Sequence, residues 1–485
     1  MTNNTTTKVI TYPAQLVGAP QAGGSIEVRS PYSGEVVGIV EEADEKTVEQ
    51  AFAVAAGPGR NIMRAMPAYQ RAEILEKTAA LVQANLEDYA MTIALEGGKP
   101  LTDARVESVR AVNTLRLSAE AALSLDGQQP SMQRSAAGAA KMSFIIREPI
   151  GVVSSISAFN HPLNLSAHLI GPALAGGNSI VLKPAAATPL CSMKLGQHFL
   201  QAGLPPEALS IINCDPPVAE KCATDKRINF LNFIGSEKIG WMLRGKLPDG
   251  ARIMLEHGGT APAIVEPDAD LLAAAASLLK GGYYHAGQVC VSLQRLYLHR
   301  GIHDKFLEMF TPMVKAVKTG DPTLPETEAG PLIRTSALQK VDESVKAAVA
   351  AGARLLTGGE TLEHNCYAPT LLADVRPGMN IYDHEVFGPV VAVMAYDNLD
   401  DALKLANDTP YAFQSSIYTK DINNALKAAL ELNSTAVMIN DHPAYRVDWM
   451  PFGGRKVSGI GMGGVRYAAE EMTELKIINI NNPYQ

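Results

Sequence analysis

Leu255-Glu256-His257-Gly258-Gly259-Thr260-Ala261-Pro262 and, further on, Gly287-Gln288-Val289-Cys290-Val291-Ser292 bound the stretch that decides how this chain is read. A carboxylate beside a glycine pair opens it, and a thiol among small residues closes it. Between them Ala263-Ile264-Val265 predicts a short strand, and residues 271–284 predict a helix that carries the chain back toward its start. Such a path lets a glutamate and a cysteine face one another across a cleft.

Outward from this stretch the chain alternates. Before it, apolar strands are predicted at 150–157, 179–182, 209–214, 229–234 and 252–255, with helices at 163–175 and 189–202. After it, helices at 271–284, 302–317, 336–350, 399–407 and 421–432 are interleaved with strands at 294–299, 390–396 and 436–439. Strands that are apolar throughout and separated by helices make a parallel sheet covered on both faces. The fold class is therefore α/β, with two parallel-sheet, Rossmann-like domains and the site at their interface, where strand carboxyl ends collect ligands. Residues 44–124 read as an amphipathic helical layer broken at Gly57-Pro58-Gly59 and at Gly97-Gly98-Lys99-Pro100, and residues 1–40 as an irregular lead-in with strands such as 25–28. The run 141–147 predicts one strand of a small β hairpin, with 473–480 as its candidate partner. An open edge there pairs with another subunit, or both strands cover their own sheet.

At 485 residues the chain exceeds one simple core. A hydrophobic share of 47%, a charged share of 19% and a net charge of -8 fit a folded soluble protein and disfavour nucleic acid or an anionic membrane as partner. If the substrate is anionic, local arginines must hold it. No apolar run approaches the roughly 20 residues that span a bilayer, and the first residues lack a signal-peptide pattern. Five cysteines without C-x-x-C spacing point to free thiols in a reducing, cytoplasmic setting, with no metal site expected.

Each chemical candidate carries a structural alternative. Cys290 is a nucleophile whose thiolate a helix dipole could favour, or a buried structural thiol. Glu256 is a general base at a strand end, or a surface cap of the next helix. Asn160, after the strand 150–157, is an amide donor for an oxyanion, or the cap of the helix that follows. Lys183 ends a strand and could hold a ribose hydroxyl or phosphate. Gly235-Ser236-Glu237-Lys238-Ile239-Gly240 resembles a phosphate-approaching turn without being a G-x-G-x-x-G or a Walker loop.

Seven motifs in order identify the resemblance. They are Phe159-Asn160-His161-Pro162, Val181-Leu182-Lys183-Pro184-Ala185, Phe233-Ile234-Gly235-Ser236, Leu255-Glu256-His257-Gly258-Gly259, Gly287-Gln288-Val289-Cys290, His384-Glu385-Val386-Phe387-Gly388-Pro389, and Pro451-Phe452-Gly453-Gly454-Arg455-Lys456-Val457-Ser458-Gly459. Over nearly its full length the chain resembles the aldehyde dehydrogenase superfamily. The resemblance implies that Cys290 attacks the aldehyde carbonyl, that Asn160 and the Cys290 N–H hold the oxyanion, and that Glu256 activates the water that hydrolyses a thioester. It implies NAD or NADP as cofactor, with Glu385 on the nicotinamide ribose, Phe387 beside the ring, and Lys183, Gly235, Ser236 and Gly240 on the adenosine and diphosphate side. Ala186 stands where NAD-preferring members often carry a glutamate, so NADP becomes possible. His257 and Thr260 depart from the more usual Leu and Lys.

The same resemblance divides the chain into a cofactor domain (1–125 and 147–257), a catalytic domain (258–465) and oligomerisation segments (126–146 and 466–485), and implies a homodimer or homotetramer. Arg446, in a loop expected at the substrate entrance, His161, and Arg110 or Arg105 are candidates for an anionic substrate tail. The His161 and Arg446 pattern looks most like enzymes that oxidise phosphonoacetaldehyde, with succinate semialdehyde, sulfoacetaldehyde and lactaldehyde as alternatives. Two other readings compete: a CoA-acylating enzyme, which Glu256 disfavours, and a catalytically silent protein on this fold.

Overall fold

The computed structural model describes residues 11–12 and 24–481; the parts of the predicted lead-in over 1–10 and 13–23, and residues 482–485, lie outside them. The alternating pattern gives two parallel sheets, as predicted. The first has six strands in the order Gly459–Ile460, Arg252–Glu256, Phe230–Ile234, Val152–Ile156, Ser179–Lys183, Leu209–Ile211. The second has seven, in the order Arg354–Thr357, Thr370–Ala373, Val390–Tyr396, Leu293–His299, Ala261–Val265, Gln414–Tyr418, Ala436–Ile439. Only the outermost strands Gly459–Ile460 and Arg354–Thr357 run antiparallel to their neighbours. Every residue of Phe230–Ile234 and of Ala261–Val265 is buried, which explains apolar runs without the period-two alternation of a one-sided sheet.

The strand Gln414–Tyr418 is fully buried in the second sheet yet was not predicted. Its Gln-Ser-Ser sequence hides it from any hydrophobic criterion, and Ser415 and Ser416 lie buried there without side-chain hydrogen-bond partners among the described residues. The expected break at Gly57-Pro58-Gly59 is not one. A π-turn, Ala55–Gly59, joins the helices Glu45–Val54 and Arg60–Ala65, and its wider spacing accommodates the proline that lacks an N–H. The second expected break is real, with Gly98 at φ +69° closing the helix Leu86–Gly97.

Lys141–Pro149 pairs antiparallel with Thr473–Asn481, the predicted partner, in a two-stranded ribbon. Met142, Phe144, Leu475, Ile477 and Ile480 are exposed on it. The chain does not stay in the second layer until residue 465. Gly459–Ile460 already pairs with Arg252–Glu256, and the helix Val465–Glu471 buries Val465, Ala468 and Ala469 in the first layer's core, against the helices Leu101–Ser124 and Pro162–Ala175. Ala468 and Ala469, within the expected oligomerisation segment 466–485, pack in that core.

Gly459 sits directly opposite Glu256, at φ +152°, and a Cβ on it would lie 2.1 Å from the Leu255 carbonyl oxygen. Gly459→Ala is expected to cost about 1–3 kcal/mol of stability and to depress turnover through the neighbouring glutamate. Urea unfolding followed by circular dichroism checks it; an unchanged midpoint would mean that this pairing gives way easily.

Candidate active site between the two sheets

A cavity of about 910 Å³ opens between the layers, and Cys290, Glu256, Asn160, His161, Arg110, Arg446, Lys183, Gly235, Ser236, Glu385 and Phe387 all line it. Candidates separated by up to hundreds of positions in sequence thus share one space. Three do not. Arg105 is exposed and forks onto the Glu87 carboxylate (Nε to Oε2 2.9 Å), away from the cavity. Ala186 is exposed, and its neighbour Ala185 is the residue that faces in. Gly240 is a packing glycine, since a Cβ there would meet the His257 Nε2 at 2.0 Å.

The cysteine loop is built by unusual backbone. After the helix Leu271–Tyr283, residues His285, Ala286 and Gly287 all take left-handed φ angles of +49°, +52° and +68°. Gln288 then anchors the loop, its Oε1 accepting from the Ile333 N–H (3.0 Å) and its Nε2 donating to the Pro331 carbonyl (3.2 Å). The helix presents its C-terminal, electron-rich end to this loop, so the dipole expected to favour a thiolate has the wrong sign. Burial pushes the Cys290 thiol well above its ordinary range and the Glu256 carboxylate adds to this, while the Arg446 guanidinium opposes both.

Glu256 is 7% exposed at the end of its strand, which excludes a surface cap. Burial raises its carboxyl above the usual range, and the Arg446 guanidinium counters that. Asn160 does not cap the helix Pro162–Ala175. That duty falls to Glu107, whose Oε1 accepts from the N–H groups of Leu163 (3.0 Å) and Asn164 (3.2 Å) while its carboxylate pairs with the buried Lys99. Asn160 is left to donate its amide to the Gln288 carbonyl at 2.9 Å, bridging from the first layer to the cysteine loop.

On the other side of the cavity Glu385 accepts from the Gly259 N–H at 3.1 Å, and burial pushes its carboxyl up to about 8. A Cβ on Gly258 would lie 2.0 Å from the Glu385 Oε1, so the glycine pair is there to admit this side chain. Phe387, at φ +52°, sets its ring edge-on to Phe159 with centroids 5.8 Å apart. The Lys183 ammonium donates to the Pro184 carbonyl at 3.0 Å, and the helix Glu237–Arg244 starts directly after Ser236.

Sequence reading missed Asp448, 2% exposed, whose carboxylate accepts from Arg110 (Nη2 2.7 Å, Nε 3.2 Å), Asn164 (3.1 Å) and His168 (2.9 Å). This knot ties the loop that carries Arg446 to two helices of the first layer. A signal was present: Asp448 follows Arg446 by two positions in a loop where an acid has no obvious partner nearby in sequence. Arg446 itself stacks on the Phe452 ring at 3.6 Å, and its Nε has no hydrogen-bond partner among the described residues. His161 lines the cavity as a neutral ring, held well below its ordinary range by burial and then by Lys99 and Arg110. No helix among the described residues is long and apolar enough to cross a membrane.

Comparison with known proteins places the chain among relatives that match it over most of its length. The profile described as the aldehyde dehydrogenase family matches residues 19–478. A 3-sulfolactaldehyde dehydrogenase from Priestia aryabhattai is 38% identical over 458 residues, covering 94% of this chain and 95% of that protein. The crystal structure of aldehyde dehydrogenase 21 from Physcomitrella patens, in complex with the reaction product succinate, superposes with a TM-score of 0.95 at 37% identity, covering 98% of this chain and 99% of its own. That of a glyceraldehyde-3-phosphate dehydrogenase from Methanocaldococcus jannaschii complexed with NADP does so with a TM-score of 0.90 at 34% identity, covering 94% and 99%.

A thiol held high is neutral at pH 7, and only its thiolate alkylates. Iodoacetamide labelling of Cys290 in the cofactor-free protein, followed by peptide mass spectrometry, is therefore expected to accelerate continuously with pH beyond about 8.5, the ordinary cysteine value. A plateau reached below that pH would show that the loop stabilises the thiolate.

Proposed function

The chain belongs to the aldehyde dehydrogenase family, and on that premise we propose that it oxidises a short anionic aldehyde to its carboxylic acid, using NAD or NADP and a thioester on Cys290. The observation that carries this reading is the meeting of Cys290, Glu256 and Arg446 in one cavity, with the carboxylate and the guanidinium acting on the thiol with opposite sign.

Glu256 takes the proton of the neutral Cys290 thiol and passes it to solvent as the sulfur adds to the carbonyl carbon, and the oxygen that gains charge is met by the Asn160 amide and the Cys290 backbone N–H. Bound on the Glu385 and Phe387 side, the nicotinamide supplies the acceptor for the hydride. Glu256 then takes a proton from water as that water adds to the thioester carbonyl; the C–S bond breaks, the sulfur leaves as thiolate and the acid is freed. The alternative acceptor, CoA, would leave this buried carboxylate without a task.

The residues facing the cofactor half fit a dinucleotide. Glu385 offers a carboxylate acceptor for ribose hydroxyls, Gly235 and Ser236 let a backbone approach closely before a helix N-terminus, and Lys183 brings a cation. With Ala186 exposed and uncharged, nothing there repels a 2'-phosphate, so both cofactors are accommodated. The first layer is then the cofactor domain and the second the catalytic domain. The exposed apolar residues of the ribbon support a homodimer or homotetramer formed through it.

Arg446 supports an anionic tail: a half-buried guanidinium whose buried Nε has no partner among the described residues gains most from a charged acceptor. Arg110 reaches the same cavity through a guanidinium already committed to Asp448, and the neutral His161 can add a hydrogen bond. The relatives that act on 3-sulfolactaldehyde or bind succinate fit the same chemistry.

Rapid mixing tests the chemistry. Glu256→Gln is expected to release a single burst of reduced cofactor and then stall, while Cys290→Ala gives none and still binds cofactor; unaltered steady-state turnover by Glu256→Gln would mean that another base serves. Arg446→Ala is expected to raise KM for an anionic aldehyde by about tenfold to a hundredfold, the loss of one charge-assisted hydrogen bond, with a far smaller effect on a neutral aldehyde of equal length. Equal effects on both would remove the anion argument.

A further inference from the structure

Four cationic side chains line the cysteine end of the cavity, and three of them are already paired, Lys280 with the Asp103 carboxylate at 2.5 Å. Lys99, 1% exposed, pairs with the equally buried Glu107. Arg110 is forked onto Asp448 through Nε and Nη2. His168 and Asn164 also reach that carboxylate, but burial holds His168 down to about 4, so it donates as a neutral ring. Asp448 therefore matches its single charge with Arg110 alone. His161 and His442, the histidines that line the cysteine end, are both lowered by burial. Arg446 is left without a committed carboxylate, and the charges acting on it include Glu256, which shares it.

A buried site holds charge only where each charge meets a counter-ion. One guanidinium, already shared with Glu256, offers at most one positive charge to a substrate tail. A phosphoryl-type tail carries about −1.5 to −2 at neutral pH, and among the described residues its second charge would find no unpaired cation at the cysteine end. We propose that the substrate tail carries one negative charge, as a carboxylate or a sulfonate, and that Asp448 excludes doubly charged tails by holding Arg110. The inference rests on the placement of the tail at Arg446 made above. Asp448 is then a positioning residue: it touches no substrate, yet decides how much positive charge the pocket offers.

The test uses the holoenzyme and aldehydes of matched length bearing neutral, carboxylate, sulfonate, phosphonate and phosphonate monomethyl ester ends. The wild type is expected to favour the carboxylate, the sulfonate and the singly charged monoester over the free phosphonate by about tenfold or more in kcat/KM. Asp448→Asn, which keeps the shape but frees the Arg110 charge, is expected to shrink or reverse that ratio, a selectivity change that mere loosening of the fold would not produce. A wild type that prefers the free phosphonate, or an Asp448→Asn enzyme with an unchanged ratio, overturns the proposal. Should that variant not fold, the wild-type ratio of monoester to free phosphonate decides alone, and a value near one overturns it. Arg446→Ala separates the two levels. If it leaves the preference for anionic over neutral aldehydes intact, the placement of the tail fails; if that preference is lost while the wild type accepts the phosphonate equally, only the charge limit fails.

Discussion

The pairing of Gly459–Ile460 with Arg252–Glu256 is the constraint on which the site depends. It brings a segment that has already traversed the second sheet back onto the edge of the first, beside the residue that carries the reacting carboxylate. Glu256 is thus fixed from both sides, by Phe230–Ile234 on one and by Gly459 on the other. Cys290 is set by the second layer, through the left-handed turn and the Gln288 anchor. The distance between base and thiol is a property of how the two layers are joined. Two small residues at that join, Gly459 against Leu255 and Gly259 against the Cys290 carbonyl, permit the closeness.

The second organising principle is buried charge. Lys99 with Glu107 and Arg110 with Asp448 look like ordinary ion pairs, yet each also performs a structural task. Glu107 caps the helix that follows Asn160, and Asp448 anchors the loop that holds Arg446. Breaking a buried pair strands a charge, so such pairs are poor sources of stability and good devices for fixing one arrangement among several. Here they fix which cations face the substrate.

Much of this was legible in the chain. Cys290, Glu256 and Asn160 were singled out from their places at strand ends and in a small-residue loop, Glu385 through the resemblance alone, and the alternation of apolar strands with helices marked both sheets. What stayed hidden has physical reasons. Gln414–Tyr418 is a core strand made of polar residues, so no hydrophobic pattern marks it. The Ala55–Gly59 π-turn absorbs a proline that normally ends a helix. Arg105 and Arg110 could not be told apart from spacing, because what distinguishes them is a partner: Glu87 at the surface for one, and for the other Asp448, far along the chain. Gly240 was taken for a phosphate-loop glycine, when its role is set by the side chain of His257.

That last contact has a consequence for how this sequence can drift. With the His257 Nδ1 bound to the Val457 carbonyl at 2.9 Å, the ring has one orientation, and its far edge fills the space a side chain at 240 would need. A histidine at 257 is therefore conditional on glycine at 240, while glycine at 240 places no such demand on 257. Substitutions at the two positions must be accepted in a fixed order: the smaller residue first, the imidazole second.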